Sequence, residues 1–156
     1  MAKSTRETRN TPISSASVAK KTEVAPPASS TEHPAKTGNL FQGLEQQRAK
    51  FAWERVQGCS KDYTNLAKAA PALIINNGLM QALAFYQSKG KAHHLALNQH
   101  LCEWLRQRGI VQQANFPGVM TALHEADAPT FRRATEETLA LLKWIRQFAA
   151  AVCGDE

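Results

Sequence analysis

From about residue 40 onward, large apolar residues recur at intervals of three and four, and no alternating strand pattern occurs anywhere. The spacing predicts a first helix from Leu40 to Gln57, with Phe41, Leu44, Phe51, Ala52 and Val56 on its broad apolar side. Ser60 suits the N-cap of a second helix, Lys61 to about Ala69, with Asp62 in the first turn and Tyr63, Leu66 and Ala70 at apolar spacing. Pro71 fits the first turn of another short apolar helix through Ile75, where its missing N–H costs nothing. Asn76, Asn77 and Gly78 tolerate positive φ and turn the chain. A helix from about Leu79 to Lys89 follows, with Leu79, Leu83 and Tyr86 on one face, Met80 beside them, Phe85 pointing the other way, and Gly90 as its stop. A helix apolar on more than one side is usually buried on more than one side. The hairpin around Gly78 is therefore expected at the centre of the packed domain.

A long helix is expected from about Ala92 to Arg108, with His94, Leu97, Leu101, Trp104 and Leu105 as its core stripe and Gly109 as its end. Phe116-Pro117-Gly118 opens a short helix, Val119 to about Ala126. The last helix, Ala128 to Val152, is the longest, and Phe131, Ala134, Thr138, Leu141, Leu142, Ile145, Phe148 and Ala149 run along it at helical spacing. The fold class predicted is all-α, a compact bundle of five to seven helices over residues 40–156.

Residues 1–39 change that picture. They are rich in Ser, Thr, Ala, Pro and Lys, with few large apolar side chains, and a segment that buries so little does not offset its ordering entropy. A disordered tail is expected, carrying Lys3, Arg6, Arg9, Lys20, Lys21 and Lys36 against Glu7, Glu23 and Glu32. It is basic and Ser-rich like a transit peptide, but Pro12, Pro26, Pro27 and the acids oppose an amphipathic helix, so a flexible basic arm is the better reading. Met1 to Lys20 lacks the apolar centre of a signal peptide, and no apolar run approaches the ~20 residues of a membrane span. Cys59, Cys102 and Cys153 are odd in number and lack a short-spaced pair, which predicts reduced thiols and a cytoplasmic protein with no membrane partner. The formal net charge of +6 favours an anionic partner, nucleic acid first.

Candidate chemistry is sparse. His93, His94 and His100 with Cys102 share one helix but diverge around it, whereas zinc needs converging ligands, so no metal site is expected. His124, Glu125 and Asp127 end a short helix with no obvious partner and read as solvated surface. No phosphate loop, nucleophile elbow or paired carboxylates occur, so no catalytic residue and no cofactor are predicted. The basic residues are more informative. Arg48 and Arg55 fall within the apolar side of the first helix, where either their stems pack and their heads pair with Glu, or they line a groove for phosphates. On the last helix Arg132, Lys143 and Arg146 occupy a narrow arc beside the core stripe. Such a stripe is either a solvated face, with Arg132–Glu136 and Arg133–Glu137 as i, i+4 pairs, or a track for a nucleic-acid backbone. Arg48, Arg55, Arg132, Lys143 and Arg146 are the candidate nucleic-acid contacts. Trp144, outside the core arc, and Arg133 beside it are candidates for a protein interface.

Three segments are familiar as a set: LEQQRAKFAWERV (44–56), LAKAAPALIINNGLMQALAFYQSKG (66–90) and FRRATEETLALLKWIRQFA (131–149). In sequence, order and spacing they resemble the small-subunit family of the type III-B CRISPR effector, the Cmr complex. The likeness spans roughly residues 40–152 and leaves out the tail. It implies a helical, non-enzymatic subunit, several copies of which stack along the backbone subunits as an inner filament facing the guide–target duplex. Its implied partners are guide RNA, target RNA, the backbone and large subunits, and other copies of itself. RNA contacts would not read sequence, and cleavage and signalling chemistry would belong to other subunits. The alternatives are the analogous small subunit of a type III-A complex and an unrelated helical regulator or enzyme.

Overall fold

The computed structural model describes residues 42–154. Among these residues there are six helices and no strand: α1 (Leu44–Val56), α2 (Lys61–Asn77), α3 (Leu79–Lys89), α4 (Ala92–Gln107), α5 (Phe116–Glu125) and α6 (Ala128–Cys153). The expected tail, and Leu40 and Phe41 at the expected start of α1, lie outside the described residues.

Caps set the helix starts. Ser60 Oγ accepts from the Tyr63 N–H at 3.1 Å and opens α2, as its position in the sequence predicts. Asn115 Oδ1 accepts from the Gly118 N–H at 2.7 Å, which starts α5 at Phe116 rather than at Val119 and puts Pro117 in the first turn. Asp127 Oδ1 accepts from the Thr130 N–H at 2.9 Å and opens α6. Hydrogen bonding from the Thr130 side chain first, and then from its backbone N–H, holds the Asp127 carboxyl below its usual pKa range.

The expected break near Ala69–Pro71 does not occur. Helix α2 continues through Pro71 to Asn77. An interior proline gives up one backbone hydrogen bond. Here Tyr63, Ala67, Ala70 and Ile74, spaced four, three and four apart, form one buried stripe across that point, and their packing outweighs the loss. The chain turns instead at Gly78, whose φ of 86° lies in the region that favours glycine and whose N–H donates to Ile74 O at 2.8 Å.

Helix α6, not the hairpin, is the element on which the bundle is built. It packs against α1, α2 and α4, and Ala134, Thr138, Leu141, Leu142, Ile145 and Ala149 are buried along it. Helix α4 contributes His94, Leu97, Leu101, Trp104 and Leu105 to the same core. Helix α3 is buried on one side only, through Leu79, Ala82, Leu83 and Tyr86, while Phe85 remains 41% exposed.

The cysteines require another correction. Cys59, between α1 and α2, and Cys153, at the end of α6, form a disulfide across 94 residues. Sequence spacing does not register such a pair, because packing of α6 along α1 and α2 brings the two together. Cys102 is free and buried, and burial pushes its thiol pKa up to about 12.

Candidate nucleic-acid and partner interface

Glu137 is 7% exposed, on the inner side of α6. A carboxylate that deep is tolerated only with full hydrogen bonding. Arg48 of α1 supplies Nη2 at 2.8 Å from Oε1 and Nε at 3.3 Å from Oε2, a two-pronged pair. The buried Trp104 of α4 donates its indole N–H to Oε2 at 3.3 Å. Arg108 Nε, at 3.6 Å, adds charge without a hydrogen bond. The chain of polar contacts continues outward: Arg48 Nη1 pairs with Glu45, and the other oxygen of Glu45 accepts from Trp144 Nε1 at 2.9 Å. Burial opposes the charge on Arg48, but hydrogen bonds and attraction from Glu137 and Glu45 outweigh it and raise its pKa. This network joins α1, α4 and α6.

It also sorts the candidate residues. Arg48 has its head between two carboxylates, so of its two readings the geometry favours the ion pair over the phosphate groove. Arg55 lies with Nη2 2.8 Å from Glu103 and its guanidinium 4.8 Å from the centre of the Phe51 ring. The expected i, i+4 pairs on α6 are not made among the described residues. Glu137 turns inward to Arg48, and Arg133 donates instead to the carbonyl of Arg108 at 3.3 Å. Arg132, Lys143 and Arg146 are exposed and form no ion pair among the described residues, with exposed Glu136 between Arg132 and Lys143. Trp144 is half-buried, stacked obliquely on Phe148 at 5.4 Å, and Phe148 meets the half-exposed Trp53 of α1 edge-on, also at 5.4 Å. The outer face of α6 thus carries three exposed cations beside an aromatic strip.

Glu137 was the residue that periodicity missed. Its place in the polar arc of the last helix hid a burial that only the neighbouring helices impose. The one clue was a buried-looking Trp104, whose N–H needs an acceptor.

Elsewhere, Tyr63 Oη and His100 Nδ1 are 2.9 Å apart at the α2–α4 contact, and burial pushes the His100 pKa down to about 4. His93 Nδ1 is 4.0 Å from Asp62. No group of three or more His, Cys, Asp or Glu side chains that could hold a metal occurs among the described residues. No helix among them is long and apolar enough to cross a membrane.

A Cmr5 subunit of the CRISPR Cmr system from Thermus thermophilus is 35% identical over 109 residues, covering 67% of this chain and 90% of that protein. The X-ray structure of a CRISPR-associated Cmr5 family protein from the same organism superposes with a TM-score of 0.60 at 32% identity, covering 71% of this chain and 97% of that one. Residues 44–152, which hold all but the last residue of the six helices and the whole Glu137 network, match the model of the CRISPR-associated protein family Cas_Cmr5, and the chain belongs to that family.

Proposed function

We propose that this chain is the non-catalytic small subunit of a type III-B Cmr effector, working in the cytoplasm. Copies stack as an inner filament along the backbone subunits, contact the large subunit, and hold guide and target RNA by backbone contacts that do not read sequence. The observation that carries the RNA part of this reading is the outer face of α6, where Arg132, Lys143 and Arg146 are exposed and unpaired among the described residues. Exposed cations on a rigid helix neutralise phosphates and release counterions wherever the strand runs, whatever its sequence. Arg48 and Arg55, engaged with Glu137 and Glu103, are supports in this reading. Trp144 and Arg133, at the edge of the same face, contact a protein neighbour.

The test is target-RNA affinity of the assembled complex at several salt concentrations, with Arg132, Lys143 and Arg146 changed to Ala singly and together. Removing a cation that neutralises a phosphate lowers the slope of log K against log salt by ~0.7 to ~0.9, equally for all target sequences. An unchanged slope in the triple variant, with assembly intact, means a solvated face. Loss of assembly means that the stripe docks protein.

A further inference from the structure

We propose that the α3–α4 corner is a base-stacking site for single-stranded RNA, in which an unpaired base lies on Phe85 and the flanking phosphates lie against Lys89 and Lys91. The site deepens the RNA-binding reading and rests on it, but it uses a different surface from α6 and a different chemistry.

Phe85 is a large aromatic left 41% exposed in a helix whose other large apolar side chains are buried or half-buried. Its ring is held. Tyr86 meets it at 5.9 Å and 61°, and His94 at 6.3 Å and 64°, both edge-on. A ring already fixed by its neighbours loses little freedom when a base stacks on it. Its surroundings favour a nucleic acid over an apolar protein segment. Lys89 Nζ is 5.0 Å from the ring centre. Gly90, at φ 63°, ends α3 in a left-handed turn so tight that Lys91 already caps α4, and both lysines are exposed. Burial first, and then the neighbouring His93, Lys91 and Lys89, disfavour protonation of His94, whose ring borders Phe85, so the lysine charges are felt at this corner. Asp62 lies 4.0 Å from His93, on the side of that imidazole. An exposed aromatic ring with a lysine ammonium over it and a second exposed lysine two residues further on is the arrangement that binds single strands without reading them, since every base has a π-face and every link a phosphate.

The experiment uses the full chain and fluorescence anisotropy with two 20-mers of equal charge, a uridine–adenosine RNA and an abasic strand. The wild type binds the strand with bases about tenfold more tightly. Phe85→Ala and Phe85→Leu abolish that preference, Phe85→Trp keeps it, and Lys89→Ala with Lys91→Ala weakens both strands alike. Phe85→Leu preserves apolar packing, so its loss of preference is not an unfolding effect. Equal binding of the two strands by the wild type, or a preference that survives in Phe85→Leu, overturns the site while leaving the α6 reading intact. A wild type that binds neither strand, alone or in the assembled complex, overturns both readings. A Phe85→Leu chain that binds both strands normally but fails to assemble makes the corner a protein contact and overturns the proposal.

Discussion

Arg48 and Glu137, 89 residues apart, meet at 2.8 Å in the interior between α1 and α6. With Trp104 donating to the same carboxylate, one acid fixes how three helices meet. Glu137→Ala leaves a guanidinium and an indole N–H without their acceptor and is expected to cost about 3–5 kcal/mol. Arg48→Met with Glu137→Leu is expected to cost clearly less than the two single changes summed. Urea melts of the wild type, Arg48→Met, Glu137→Leu and the double variant give the coupling, and additivity would mean that the pair is not held as described.

The same geometry separates the arginines engaged inside the bundle from those proposed to bind RNA. Arg48→Met is expected to lower stability and leave the salt dependence of RNA binding unchanged at temperatures where the protein is folded. The Arg132, Lys143 and Arg146 triple variant is expected to do the reverse, with stability within about 0.5 kcal/mol of wild type. A lowered salt slope in Arg48→Met would return that residue to the RNA surface.

His100 gives the pH dependence. Its folded pKa, about 4, lies below the ordinary 6.5, so the folded state holds fewer protons than the unfolded chain between those values. The His100 contribution to stability is therefore present above about pH 6.5 and is lost as pH drops toward 4. His100→Gln is expected to flatten this fall by about 1–3 kcal/mol between about pH 7 and pH 4. Parallel urea melts at the two pH values measure the difference, and identical pH dependence in both proteins would remove His100 as its source.

The Cys59–Cys153 bridge closes a long loop and ties the end of α6 to the turn before α2. Reduction by excess dithiol, or Cys153→Ser, is expected to lower stability by about 2–5 kcal/mol, leaving the helical fold in place. A reducing cytoplasm favours the dithiol form. Mass spectrometry of alkylated protein reads the bond directly, and a melting temperature indifferent to reductant would show that the bridge adds nothing.

Gly78 is the turn between α2 and α3. A Cβ there meets no atom within 4 Å, so any penalty comes from its φ of 86° and not from crowding. Gly78→Val is expected to cost about 1–3 kcal/mol, and Gly78→Ala somewhat less. An unshifted urea midpoint for Gly78→Val would rule out the positive-φ turn.

Local information in the chain was enough for the helical class, for the stripes of α4 and α6, for Ser60 as a cap, for Gly78 and Gly90 as corners, and for the resemblance carried by residues 44–56, 66–90 and 131–149. Periodicity and capping act within one or two turns, so sequence alone registers them. It did not determine that α2 runs through Pro71, because the stripe Tyr63, Ala67, Ala70 and Ile74 compensates only once α6 and α4 cover it. It left two readings open for Arg48, and put Glu137 on the wrong side, because a charged residue's environment belongs to the helices that pack on it. It separated Cys59 from Cys153 and gave Phe85 to the core for the same reason. Which apolar face is covered, and which charges and thiols meet across about 90 residues, is decided by the docking of α6 against α1, α2 and α4, and that docking is a long-range packing outcome no local pattern encodes.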